Sequence, residues 1–214
     1  MDALSVADFK AIITRIAGIM TEKKDELIRL DGAVGDGDLG LTMEKGFIAA
    51  NEEAKTSAET DAGKFLMKIG MTIAKAAPST MGTLVATGFM SGGKAVSGSS
   101  TLGPKEMAGF FEAFVAGIMQ RGKSKPGEKT IVDVLNHAAE ALKEAAASDA
   151  SLSDAFRKCR QAAELGLART KDMIAQHGRV AYYQEQSKGK EDPGAVAAGY
   201  IVQGFCDSIT GAGS

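Results

Sequence analysis

Apolar side chains recur at intervals of three and four residues along most of the chain, and convincing runs of strict alternation are few. Phe9, Ile12, Ile13, Ile16 and Met20 share one helical face, and Leu27 and Leu30 carry the stripe past the polar stretch from Thr21 to Glu26. A first helix reaching Leu30 is therefore expected. Met43–Ala54 has the same period, with Thr42 as its candidate cap. Asp61–Ala77 turns Phe65, Leu66, Ile69 and Ile73 inward and is stopped by Pro78. Leu84–Met90 begins a fourth helix, followed by flexible punctuation from Gly92-Gly93 to Gly103. Pro104 suits the first position of a helix through Met119, on which Phe110, Phe111, Phe114 and Ile118 form a core face in preference to a base-stacking platform. Thr130–Ala147, Asp149–Ala175 and Ala195–Ile209 complete the set. Gly178 is expected to cap the seventh helix in the left-handed conformation, and Gly211–Ser214 to fray. The fold class that follows is all-α, an antiparallel up-and-down bundle of about eight helices in which alternate connections return to one end.

The connections carry the chemistry. Asp31-Gly32-Ala33-Val34-Gly35-Asp36-Gly37-Asp38 holds three carboxylates between glycines that let the backbone fold them towards one point. Such crowding favours a hard cation, Mg²⁺ or Ca²⁺, and Mg²⁺ keeps room for substrate phosphates. The same spacing also suits a solvated turn whose aspartates cap a helix. An EF-hand reading fails, since the twelfth position would be Thr42 or Phe47 instead of glutamate. Gly35-Asp36-Gly37-Asp38-Leu39-Gly40 matches a dinucleotide fingerprint in letters but follows a helix instead of a strand, and no P-loop sequence occurs.

Further along, Pro78-Ser79-Thr80-Met81-Gly82-Thr83 suits a nucleotide pocket and an ordinary helix cap equally. Arg121 to Lys129 carries four cations within nine residues, facing either a phosphate or acidic partner, or water. Arg179 offers a planar fork for phosphate oxygens from a long segment ending in Asp192-Pro193, the cap-then-proline signature of a helix start. His137 has no second ligand at metal-binding spacing and reads as structural.

Composition narrows the classes. At 214 residues and 44% hydrophobic, the chain is expected to form a single domain over 1–214. A net charge of −2 gives no basic footprint for nucleic acid. Cys159 and Cys206 form no disulfide framework, the first ten residues lack a leader pattern, and no apolar run is long enough for a membrane span. A cytoplasmic protein without membrane contact is the expectation.

Four ordered motifs then bear on family. Leu30 to Asp38 with Gly40 resembles the signature of the dihydroxyacetone kinase L subunit family. Gly127-Glu128-Lys129-Thr130-Ile131-Val132-Asp133 is similar to its G-D-K-T-M-x-D segment, and Gly178-Arg179-Val180-Ala181-Tyr182 and Asp192-Pro193-Gly194-Ala195 to its third and fourth motifs. The resemblance implies an eight-helix barrel binding ADP or ATP through two Mg²⁺ ions on Asp31, Asp36 and Asp38. Leu39, Gly40, Leu41, Thr42, Ser79, Thr80, Gly122, Ile131, Arg179, Asp192, Pro193 and Gly194 would surround the nucleotide. It also implies phosphoryl transfer to dihydroxyacetone or a related ketose held on a separate K-type subunit. The donor would be ATP itself or a phosphotransferase-system protein acting through retained ADP, and the short free-standing chain favours the latter. A homodimer is a further expectation. Leu39 stands where the family commonly has histidine, and residues 78–83 depart from its G-G-A-S-G pattern. Those departures keep open a different class, a catalytically silent ADP-sensing module of the same fold.

Overall fold

In the computed structural model, which describes residues 2–211, the apolar periodicity resolves into a closed ring of helices. Residues 212–214 of the expected frayed end lie outside the described residues. The helices are α1 (Val6–Glu22), α2 (Lys24–Gly32), α3 (Leu39–Thr56), α4 (Ala62–Ala76), α5 (Thr80–Ala95), α6 (Pro104–Gly122), α7 (Ile131–Ala147), α8 (Leu152–Thr170) and α9 (Pro193–Thr210). A 3₁₀ segment covers Arg179–Ser187, and β1 (Leu4–Ser5) pairs antiparallel with β2 (Thr101–Leu102). Neighbours in sequence pack side by side from α3 round to α9, and α1 closes the ring by packing against both α3 and α9.

The expected first helix is two. Lys23 adopts φ −94° and ψ 5° between α1 and α2, although its N–H still donates to Ile19 O at 2.8 Å. The break falls inside the polar stretch that offers no apolar stripe to hold the helix straight against its neighbours. With α2 continuing α1, the ring has the eight staves that the periodicity implies.

Other boundaries differ as well. Helix α3 begins at Leu39, so Thr42 sits within its first turn and does not cap it. Helix α5 runs through Gly92-Gly93 to Ala95, because these residues have no side chain where α5 meets its neighbours. A Cβ on Gly93 would lie 2.6 Å from Gly63 O, and one on Gly92 2.6 Å from the Phe110 ring. Helix α8 starts at Leu152 under a Ser151 cap and stops at Thr170, five residues short of Ala175.

One continuous core cluster runs from Leu4 to Ile209. Phe110, Phe111 and Phe114 lie inside it, and ring contacts link them to Phe89, Phe156 and Phe205. Burial of this kind contributes roughly 25 cal/mol per Å² of apolar surface removed from water and fixes the staves. Asp207 on α9 is buried between Arg15 of α1 and Arg160 of α8, tying the closing helix to both sides. Among the described residues no helix is long and apolar enough to cross a membrane.

Candidate functional site

Because successive helices alternate in direction, the connections α2–α3, α4–α5, α6–α7 and α8–α9 meet at one end of the ring. They line a cavity of about 420 Å³. Helices α3, α5, α7 and α9 all begin at this cavity, at Leu39, Thr80, Ile131 and Pro193. Four helix N-termini thus turn their positive dipole ends to a common space, an arrangement that suits an anion.

The acidic loop supplies the opposite charge. Gly37, at φ +74°, turns the chain so that carboxylate oxygens of Asp31, Asp36 and Asp38 all lie within 4.8 Å of one another. Asp31 Oδ2 accepts from the backbone N–H of Asp38 at 3.0 Å and of Leu39 at 3.1 Å, capping α3 from across the loop. The capping alternative is therefore realised at Asp31 alone. Partial desolvation, followed by the charges of Asp36 and Asp31, raises the pKa of Asp38, and Arg179 opposes the shift. Arg179 Nη2 approaches Asp36 Oδ2 at 2.7 Å, bringing a cation from the far α8–α9 connection onto the acidic loop. Three hard-oxygen ligands under mutual repulsion form a donor set that fits Mg²⁺.

Most of the residues singled out in the sequence converge here. Asp31, Asp36, Asp38, Leu39, Ser79, Thr80, Gly122, Ile131, Arg179, Asp192, Pro193 and Gly194 all line the cavity. Gly40, Leu41 and Thr42 do not. Gly40 is buried against α2, Leu41 is 53% exposed on the outer face, and the Thr42 N–H is taken by Asp38 O. Residue 39 alone of that stretch reaches the site because α3 starts there and turns the next residues away. Ser79 caps α5, its Oγ accepting from Gly82 N at 3.1 Å, and also lines the cavity. Asp192 likewise caps α9, accepting from Ala195 N at 2.8 Å. Burial pushes its carboxyl up to about 6, against the pull of the Ala195 N–H and Lys129.

Residues 33–207 match the DAK2 domain family. The chain belongs to that family. It is 31% identical over 191 residues to the ADP-binding subunit DhaL of the PEP-dependent dihydroxyacetone kinase of Escherichia coli K12, covering 89% of this chain and 91% of that one. Against the ADP-binding subunit DhaL of PEP-dependent dihydroxyacetone kinase 1 of Listeria innocua it is 33% identical over 180 residues, 84% of this chain and 85% of the other. It is also 31% identical over 207 residues to L-erythrulose 1-kinase of Mycolicibacterium smegmatis, but there spans only 35% of the longer protein. The dihydroxyacetone kinase of C. freundii in complex with AMP-PNP and Mg²⁺ shares the fold, with a TM-score of 0.72 at 19% identity over 97% of this chain and 35% of that one.

As a DAK2 domain the chain shows two local particulars. Leu39, in the family's histidine position, is 6% exposed and belongs to the core cluster, so its backbone contributes to the site and its side chain to packing. Sequence reading missed Glu128, Lys129 and His177. The basic loop is exposed at Arg121, Lys123 and Lys125, but Lys129 is wholly buried, and Glu128 Oε2 lies 2.6 Å from His177 Nε2. Gly178 has φ +66° and ψ −167°, so it starts the 3₁₀ segment and does not cap α8. The available signal was the family-like segment Gly127 to Asp133, which contains Glu128 and Lys129; Val34 and Val180 meet with Ala175 in a small separate cluster beside the site.

Proposed function

We propose that this DAK2 domain is the ADP-binding subunit of a dihydroxyacetone-type kinase, with residues 1–214 working as one nucleotide-binding domain. The observation that carries the reading is the meeting of three carboxylates, Arg179 and four helix N-termini in one cavity. Relatives matched over nearly their full length, named ADP-binding subunits, support it. Asp31, Asp36 and Asp38 would hold two Mg²⁺ ions. Bound there, the ions would supply the positive charge that offsets phosphate oxygens during phosphoryl transfer.

The chain's own groups do the rest. The positive ends of α5, α7 and α9 favour phosphate oxygens, and Ser79 and Thr80 add hydroxyls. Arg179, with most of its side chain exposed, can turn from Asp36 to a phosphate oxygen and grip it with two parallel N–H donors. Met81, Leu84 and Ile131 give the cavity an apolar wall against which a base can exclude water. No side chain needs to form a covalent intermediate, since phosphoryl transfer rests on positioning and charge. A nucleotide bound here would supply the phosphoryl group for a hydroxyl of dihydroxyacetone or a related ketose held on a K-type subunit.

For the donor we favour a phosphotransferase-system protein that rephosphorylates retained ADP, as the PTS-dependent name of a Lactococcus lactis relative supports. Calorimetric titration with ADP, with and without Mg²⁺, tests the reading. The expected result is Mg²⁺-dependent binding that Asp36→Asn weakens by at least about tenfold, the usual scale for losing a charged ligand. Absence of Mg²⁺-ADP binding by the wild-type chain would overturn it. Transfer from a phosphorylated donor protein to dihydroxyacetone in the presence of a K subunit then separates an enzyme subunit from a silent sensor.

A further inference from the structure

The α6–α7 loop grips the strap that carries Arg179. Lys129 is completely buried and holds a backbone φ of +59°, a left-handed conformation that an L-residue keeps only when its surroundings enforce it. Its ammonium donates to Thr170 O at 2.6 Å and to Lys190 O at 2.8 Å. These carbonyls sit at the two ends of one excursion, the last residue of α8 and the approach to the α9 cap. Across the same neck the Gly189 N–H donates to Lys171 O at 2.6 Å. Lys129 thus closes, together with this bond and the ion pair of Lys171 with Glu191 at 3.1 Å, the neck of the strap that carries Arg179.

Adjacent groups brace the clamp. Glu128 O accepts from Gln176 N at 3.3 Å, and its carboxylate meets His177 at 2.6 Å. The loop is itself fixed by Asp133, whose two oxygens accept from Gly127 N at 2.6 Å and Thr130 N at 2.7 Å. A lysine without hydrogen-bonding acceptors could not remain at this depth, so the two carbonyls explain both its burial and its strained backbone. Burial lowers its pKa, and the carboxylates of Asp192, Asp172 and Asp133 counter that.

We propose that Lys129 is a positioning residue that sets Arg179 over the acidic loop by closing the neck of its strap, tuning nucleotide affinity through Arg179. Lys129 borders the cavity, so direct contact with a phosphate is the rival arrangement. The proposal rests on the nucleotide reading above. It is tested by a double-mutant cycle in Mg²⁺-ADP affinity on the full chain, using Lys129→Met, Arg179→Gln and the pair.

Lys129→Met is expected to weaken binding roughly tenfold, the scale on which supporting residues act. In the Arg179→Gln background it should add less than about twofold, because contacting residues couple and a path through Arg179 is then already lost. Hydrogen exchange should quicken across residues 171–190 and stay unchanged in α4, α5 and α6. Additive losses, or wild-type affinity in Lys129→Met, would overturn the proposal while leaving the nucleotide reading intact. Failure of the wild-type chain to bind Mg²⁺-ADP would overturn both. If Lys129→Met does not fold, His177→Ala cuts the second tie. It should weaken binding about threefold and fall silent with Arg179→Gln, and persistence of its loss there would count against the clamp.

Discussion

Asp192 shows how one side chain can answer to two demands. Its carboxylate caps α9, which favours the ionised form, yet its burial disfavours that form more strongly and holds the pKa at about 6 against an ordinary value of 3.8. Between those values the folded chain binds more protons at this position than the unfolded chain. Stability from this group therefore falls as pH rises from about 4 to about 6, by up to about 3 kcal/mol. Asp192→Asn, which keeps a capping oxygen without the charge, should gain stability relative to the wild type at pH 7.5 compared with pH 4. Urea unfolding at the two pH values checks this, and an unchanged difference would mean the carboxyl is not buried as described. Asp36 makes the contrast, since it is exposed and paired, and its worth lies in ligand binding more than in the fold.

For the elements, the decisive quantity is how closely helices approach. Gly40 opens the second turn-forming position of α3 against α2, and a Cβ there would lie 2.2 Å from Lys24 O and 2.8 Å from Ile28 Cγ1. Gly40→Ala is expected to destabilise by about 1–3 kcal/mol through overpacking, and to shift Asp31 and Asp38 apart, weakening Mg²⁺ binding as well. Gly109 on α6 has no neighbour within 4 Å of an added Cβ. Gly109→Ala should therefore stabilise by about 0.5–1 kcal/mol through backbone entropy and helix propensity alone. Thermal unfolding of the two variants side by side tests the assignment, because equal effects would show that propensity and not packing governs both. The same logic explains why Gly92-Gly93 reads as a breaker in the sequence yet sits inside α5: glycine marks a crowded interface there instead of a turn.

At the scale of the whole molecule, the ring must close, and Asp207 is where the charges show how. Burial alone would raise its pKa, but Arg160 and Arg15 outweigh that and hold the carboxyl below the ordinary range. Its contribution is present above pH about 4 and is lost as pH falls through the lowered folded value. Asp207→Asn leaves two guanidinium groups facing each other, each about a third exposed, so the cost should be about 1–3 kcal/mol at pH 7, below that of a fully buried pair, and should shrink at pH 3. Thermal unfolding at both pH values measures it. The helical period, the number of staves, the inward faces of the phenylalanines and the crowding of Asp31, Asp36 and Asp38 were legible in the sequence, because each rests on neighbours a few residues apart, whereas closure into a ring was implied by the family resemblance alone. The caps at Ser79 and Asp192 were legible for the same reason. Tertiary structure alone decided that α1 bends at Lys23, that α3 begins early enough to turn Gly40, Leu41 and Thr42 away from the cavity, and that Arg179 reaches Asp36. It also turned Lys129, one of four cations in an apparently solvated loop, into a buried clamp on carbonyls more than forty residues away. Hydrogen bonds and burial between distant segments leave no local period, and they exist only once the ring has brought its loops to one end.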